Sequence, residues 1–285
     1  MSKPYSLLRR QLLRSCLLLG ALALPLAAHA DWDKIKASGR IKVAVYKDNA
    51  PFSDGKPNQL SGIDVALAQA LADAMGLKVD WLPFDAGEDM RDDLRNMVWK
   101  GHYLGYGPAD LMMHVPVDPR FMQQNEQAFI FGPYYRETVV LAHDLKRLPE
   151  VKDAEDLKGQ PLVTETGSAA ASALLGALDG ALRPNVHMEP NGQAATRYLL
   201  SGKATAVMTT RSQIESALPA DVRANYALTT LPLRGVPPKG WSLGMAIKAD
   251  QKPLAEALDA ALTKLKNEGK LKALFEQYGV SWTAP

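Results

Sequence analysis

Cysteine is almost missing from this chain, with one residue, Cys16, in 285. A single thiol builds no disulfide and no cysteine-metal centre. Histidine is scarce too, at five residues. His102, His143 and His187 stand at no ligand spacing from one another or from acids, and no zinc motif occurs. A G-x-S-x-G elbow, a phosphate loop and a dinucleotide fingerprint are all absent. The chain is therefore expected to be no enzyme and to carry no metal or cofactor. An excess of either charge is lacking as well, with 33 Lys and Arg against 31 Asp and Glu. Such a balance leaves no electrostatic footprint for nucleic acid or an anionic membrane.

The N-terminus is where apolar residues concentrate. "MSKPYSLLRRQLLRSCLLLGALALPLAAHA" has a basic start (Lys3, Arg9, Arg10, Arg14), then an apolar run, then the small-residue site Ala28-His29-Ala30. That order predicts a secretory signal over residues 1–30, cleaved before Asp31, and the run is too short for a membrane span. Arg9-Arg10 fits ordinary n-region charge or twin-arginine export. Cys16 precedes the apolar run, which does not fit a lipoprotein. The processed chain is a soluble exported protein without cysteine, long enough to bury a core unaided. Losing the four basic residues of the leader leaves 29 basic side chains against 31 acidic ones.

Strand and helix signals alternate after the leader. "RIKVAVY" (40–46) and "LKVDWLPF" (77–84) read as strands. Between them Ile63, Leu67, Ala70, Leu71, Ala74 and Met75 recur at helical spacing, with Gly76 as a stop. "DAGEDMRDDLRNMVWKG" predicts a helix and "ADLMMHV" a strand. From about residue 137, "ETVVLAH" predicts a strand, "QPLVTETGSAAASALLGAL" a strand, turn and helix, and "NGQAATRYLLSGKATAVMTT" a helix and strand. "LPLRGVPPKGW" marks a boundary. "SLGMAIKAD" and a long amphipathic helix broken at Gly269 close the chain. This alternation predicts α/β layers with largely parallel sheets.

"SGIDVALAQALADAMGLKV", "FGPYYRE", "DAEDLKGQPLVTETGS", "YLLSGKATAVMTT" and "LAEALDAALTKLKNEGKLKALFEQYGV" occur in one order. Together they resemble the type II periplasmic binding proteins of the amino-acid-receptor kind, solute-binding family 3. The resemblance implies two α/β lobes, a hinge of two crossing strands and an interlobe cleft. Lobe one would comprise residues 31–136 plus 236–285, and lobe two residues 137–235. It also implies two ligand anchors, and the sequence departs from both. Where a Thr and, three residues on, a carboxylate-gripping Arg are expected, the chain reads Val117-Asp118-Pro119-Arg120. Where an ammonium-binding Asp is expected after the last lobe-two strand, Thr209 and Thr210 stand.

A narrower likeness rests on "GHYLGYGPADLMMHVPVD", the Asn125–Phe129 spacing and "GPYYRE". These resemble the MxaJ/XoxJ group of periplasmic proteins found with pyrroloquinoline-quinone (PQQ) methanol and alcohol dehydrogenases. The likeness implies a monomeric accessory protein that assists or activates such a dehydrogenase by contact. The alternative is an importer (ABC transporter) receptor for a small, non-standard solute, apolar or weakly charged.

Candidate cleft residues are Phe52, His114, Asp118, Arg120, Tyr134, Thr166, Gly167, Ser168, Thr209 and Thr210. Thr166-Gly167-Ser168 opens a helix, where free amides attract anions, and Ser168 or Thr166 as a simple cap explains the same letters. His114 reads as a ligand donor or as a satisfied structural group. Asp118 could serve as the cleft carboxylate that dehydratases of this superfold use. The acids Asp85, Glu88, Asp89, Asp92 and Asp93 read as a hard-cation loop or, lacking the alternating calcium pattern, as helix-start charges. Tyr103 and Tyr106, flanked by glycines in an insertion, are the candidate partner-interface residues.

Overall fold

The computed structural model describes residues 26–56 and 58–285, with side-chain surroundings from Trp32 onward. The expected leader lies outside the described residues apart from its last five positions, which open helix α1 (Leu26–Ser38). Among the described residues no helix is long and apolar enough to cross a membrane.

Two five-stranded sheets carry the fold. The first contains β1 (Arg40–Tyr46), β4 (Lys78–Phe84), β5 (Leu111–Pro116), β6 (Ala128–Glu137) and β12 (Trp241–Lys248), in the order β4-β1-β5-β12-β6. A small hairpin, β2 (Asp48–Asn49) and β3 (Ser53–Asp54), follows β1. The second sheet contains β7 (Val139–Asp144), β8 (Leu162–Glu165), β9 (Val186–Glu189), β10 (Ala206–Thr210) and β11 (Tyr226–Thr229), in the order β11-β7-β10-β8-β9. Each sheet has two parallel pairings and two antiparallel ones. Four of the five strands in each sheet run one way, as largely parallel sheets require, and the antiparallel pairings arise because the strand that enters from the crossing, β12 or β7, runs against the other four.

Period-two alternation puts apolar side chains on both faces of each sheet. Val43 and Val45 of β1 face one core, with Ile63, Leu67 and Leu71 of α2 (Ile63–Ala74). Leu258 and Leu262 of α8 (Lys252–Asn267) and Phe275 of α9 (Lys270–Gln277) complete that layer. Ala44 and Tyr46, one residue out of step, face a second core with Phe84, Leu94 and Met97. That layer includes the short helix α3 (Met90–Leu94), which continues as a widened π turn over Arg95–Trp99, and α4 (Pro119–Gln123). The second sheet alternates likewise, Leu141 and Met208 against α5 (Ala169–Gly176), and Val140, Ala142 and Val207 against α6 (Gly192–Leu200) and α7 (Arg211–Ala217).

The helical stripe of α2 lies one step from the expected one. Ala68 and Ala72 are buried, Ala74 is exposed, and the buried set includes an acid, Asp64. Strand β6 has no counterpart among the expected elements, because Gly132-Pro133 in its middle reads as a turn. Proline is tolerated there since β6 is the sheet edge, and the register with β12 slips at that point. Gly269 breaks the C-terminal helix as expected, with φ of 71°.

The chain crosses between sheets at Thr138 and returns before Trp241, which pairs with Glu137. Gly240 has φ of 64°, and a Cβ there would overlap the Glu137 carbonyl, so glycine alone lets the two crossing segments approach this closely. The Glu137 carboxylate is buried and accepts the Ser212 hydroxyl from α7 and the Thr138 amide at 2.9 Å. Nearby, the Arg211 amide donates to the Thr138 carbonyl at 2.8 Å. The C-terminal tail bridges the same junction, with Ser281 N–H donating to Glu215 at 2.6 Å and the Trp282 indole to the Tyr134 carbonyl at 2.8 Å.

Burial raises the Glu137 carboxyl from 4.5 to about 7 in the fold. A carboxyl with a raised folded pKa contributes stability below its unfolded value and loses it as pH rises toward the folded one. Unfolding measured from pH 4.5 to 8 should show the wild type losing about 3 kcal/mol relative to Glu137→Gln. Parallel pH profiles for the two proteins would contradict this account of the hinge.

Candidate functional site

In open α/β sheets, ligand sites form outside the carboxyl ends of parallel strands. The first sheet has a cavity of about 410 Å³ at that edge, where β4, β1 and β5 end side by side. Its apolar wall is Tyr46, Phe84, Ala86 and Met90, and its polar wall is Lys47, Asp48, Asn49, Asp85 and His114.

His114 reaches the cavity through an irregular backbone. Along β5 and β12, Met112 pairs with Ala246 and Val115 with Gly244, so β5 has one extra residue there. His114 takes up this bulge with φ of 66°, a left-handed conformation uncommon for a non-glycine residue. On the other side of β12 the register slips again, where Gly132, Pro133 and Tyr134 of β6 oppose Gly244. A Cβ on Gly244 would lie 2.5 Å from the Phe131 carbonyl and 2.6 Å from Val117. Two bulges thus flank one glycine, and their residues His114 and Tyr134 converge on Asp64 of the facing helix.

Asp64 is the centre of the arrangement, at 0% exposure in the first turn of α2. Tyr134 donates its hydroxyl to Oδ1 at 2.6 Å, and His114 Nδ1 lies 2.9 Å from Oδ2. The helix start favours the carboxylate electrostatically. The Tyr134 hydroxyl is raised well above its ordinary value by burial first and by the Asp64 charge second, so it stays a donor. Phe52 covers the imidazole, with ring centroids 4.4 Å apart. Its loop is fixed by Asp64 N–H donating to the Phe52 carbonyl at 2.8 Å.

A second buried carboxylate stands behind the apolar wall. Asp93 accepts the Tyr46 hydroxyl and the Gly87 amide, both at 2.7 Å. Burial raises its carboxyl, against the lowering effect of the Tyr46 bond. The rest of the acid-rich segment is occupied in helix starting and ion pairing. Asp89 caps α3 through the Arg91 and Asp92 amides, Asp92 pairs with Arg95, and Asp85 pairs with Lys47 at 2.7 Å. Among the described residues no group of three His, Cys, Asp or Glu side chains could hold a metal ion.

Of the expected cleft residues, the structure brings together Phe52, His114 and Tyr134, although Tyr134 and Phe52 are buried supports and only His114 lines the cavity. Asp118 and Arg120 stand apart and exposed. Asp118 caps α4, accepting from Phe121 N–H at 2.8 Å. Its carboxylate is committed to a helix start, away from the His114 cavity. Thr166 and Gly167 are exposed in the turn after β8, and Ser168 is the cap of α5, accepting from Ala171 N–H at 3.0 Å. Thr209 and Thr210 both donate to Gln213 Oε1, at 2.6 and 2.8 Å, beside Glu165. Burial raises the Glu165 carboxyl, with Gln213 and Thr209 opposing. This lobe-two cluster is a separate polar network.

The insertion around Tyr103 forms a tight turn closed by His102 N–H to the Tyr106 carbonyl at 2.8 Å and Gly105 N–H to the His102 carbonyl at 2.9 Å. Tyr103 and Leu104 project from it at 88% and 67% exposure. Tyr106 instead is half-buried, stacked on His102 at 4.3 Å and packed against the second core.

No protein-family model and no curated protein matches this chain by sequence, whereas solved structures do match by shape. An ancestral cationic amino acid solute-binding protein is 21% identical, with 87% of this chain and 98% of that one covered and a TM-score of 0.67. A polar amino acid uptake transporter substrate-binding protein from Streptococcus thermophilus is 19% identical over 89% and 91% of the two chains, TM-score 0.66. An amino acid transporter substrate-binding protein from Streptococcus pneumoniae bound to L-arginine is 24% identical over 89% and 98%, TM-score 0.60. The fold is therefore the two-lobed one of periplasmic binding proteins, with α/β lobes as the sequence predicted.

Removing the Tyr134 hydroxyl leaves the buried Asp64 carboxylate one donor short. Tyr134→Phe should cost about 1.5–3 kcal/mol, read in a thermal melt as a drop of roughly 3–10 °C. An unchanged melting temperature would remove Asp64 from the centre of this site.

Proposed function

We propose that this chain is a periplasmic solute receptor without catalytic activity, which binds a small molecule other than an α-amino acid in the cavity at His114. The observation that supports this best is the cavity itself. A histidine held in an uncommon backbone conformation by a buried carboxylate lines a hollow at the strand ends where this fold receives ligands. Structural neighbours described as amino acid binding proteins favour a receptor. The paired charges that would grip an amino acid are not in place here, since Asp118 caps a helix and Thr209 and Thr210 bind Gln213. The solute then lacks one of the two charges of an amino acid. The leader expected from the sequence supports a periplasmic location.

A second reading, a contact accessory of a PQQ-dependent alcohol dehydrogenase, draws on one observation. Tyr103 and Leu104 stand out from a turn whose backbone is internally hydrogen-bonded, the kind of rigid aromatic anchor favoured in interfaces.

Two measurements separate the readings. In a thermal-shift scan against small metabolites, a receptor at 1,000 times its Kd of solute gains about 4 kcal/mol, on the order of 10 °C. A flat scan would reject the receptor reading. In a binding assay with the dehydrogenase, Tyr103→Ala with Leu104→Ala should abolish association while leaving the melt unchanged, and equal association would reject the accessory reading.

A further inference from the structure

The hydrogen-bond arrangement around His114 narrows the class of solute, and this step rests on the receptor reading above. We propose that Asp64 and Tyr134 hold His114 in the tautomer protonated on Nδ1, and that the cavity takes a small aliphatic amine, bound as its ammonium ion with Nε2 of His114 accepting one of its protons.

The tautomer follows from donor bookkeeping. An ionised carboxylate only accepts. Asp64 Oδ1 already accepts from Tyr134, and Oδ2 faces Nδ1 at 2.9 Å. The Nδ1 position therefore carries a proton. This is the orienting role that the second ring nitrogen has wherever a histidine works through the other. Nε2 is left with its lone pair, has no partner among the described residues, and belongs to a ring that lines the cavity. The bulge at His114, with φ of 66°, turns Nδ1 to Asp64 while the ring still lines the cavity.

Charge and wall chemistry favour an ammonium over an anion. On the polar wall, Asp48 and Asp85 oppose Lys47, and the Lys47 ammonium is tied to Asp85 at 2.7 Å. Lys47 also feels Asp48, so the wall sets two acids against one base, and Asn49 adds another acceptor oxygen. The buried Asp64 charge sits directly behind His114. A carboxylate entering here meets repulsion from Asp48 and a lone pair on Nε2, while an ammonium meets two acceptors. Tyr46, Phe84 and Met90 supply the apolar part of the lining. The cavity accommodates a short alkyl chain bearing one amine.

The test uses the full exported chain in two parts. First, calorimetric titration at neutral pH compares butylamine and putrescine with butanol and butyrate. The amines should bind and the other two should not. His114→Asn, chosen because asparagine tolerates the left-handed conformation, should weaken amine binding about 10- to 100-fold. Since it also disturbs a donor to Asp64, it should lower the melting temperature no further than Tyr134→Phe, a variant that keeps the imidazole and should keep amine binding. Binding of butanol or butyrate in preference to the amines would overturn the amine assignment and leave the receptor reading standing. A panel with no binder would overturn the amine assignment, and the metabolite scan above then decides the receptor reading. Second, nitrogen-15 NMR of the unliganded protein should show His114 protonated on Nδ1 and bare on Nε2. A proton on Nε2 with Nδ1 bare would overturn the tautomer, whatever binds.

Discussion

A fully buried carboxylate dictates the architecture of the first lobe. Burying an ionised group without partners costs far more than a domain can offset, so each oxygen of Asp64 requires a donor. Those donors come from two different strands, the Tyr134 hydroxyl from β6 and the His114 imidazole from β5. Both strands must leave regular geometry to deliver them. The double register slip around Gly244, the left-handed His114 and the Gly132-Pro133 interruption all serve the same carboxylate. The Phe52 loop closes over the pair and is itself fixed to the Asp64 backbone. The cavity is what remains on the far side of the imidazole.

The two lobes share a device of the same kind. Glu137 lies where β6 leaves the first sheet, and its donors come from the chain beyond the crossing and from a helix of the second lobe. Buried acids thus join elements distant in sequence, Asp64 within a lobe and Glu137 across the hinge. Apolar packing alone would leave those elements free to slide. The satisfied carboxylates fix their register.

Much of the fold was legible because periodicity survives wherever a strand or helix has one buried face. Val43 and Val45 against Ala44 and Tyr46, and Ile63, Leu67 and Leu71, announced their elements before any contact was known. Strand β6 did not, because a Gly-Pro pair reads locally as a turn and only its edge position makes it admissible. The site was legible in part. His114 was visible as a polar residue ending an apolar strand, but Asp64 was hidden inside a helix whose apolar spacing was complete without it. An acid one turn below Ala68 and two below Ala72 on the buried stripe was the available signal. Lys47, Asp48 and Asp85 could be found only by knowing that β1 and β4 end beside β5, which is a statement of topology. Asp118 misled because a carboxylate before proline is equally a helix cap, and sequence does not say which amide it will meet.

The placement of β12 sets the order in which this molecule can assemble. Strand β12 lies between β5 and β6 and is, among the described residues, the only neighbour β6 has in the sheet, yet it comes from residues 241–248, after the second sheet is complete. As the chain emerges from its N-terminus, the first lobe reaches Glu137 with its sheet interrupted. The bulged residues that must find Asp64 have no strand to register against, and the Asp64 carboxylate has no settled donors. The second lobe, contiguous from Val139 to Thr229, meets no such obstacle. Non-local pairing of this kind slows folding and leaves strand edges uncovered meanwhile. The later half of the chain is therefore ready to fold first, while the half that holds the His114 cavity waits for the last strand.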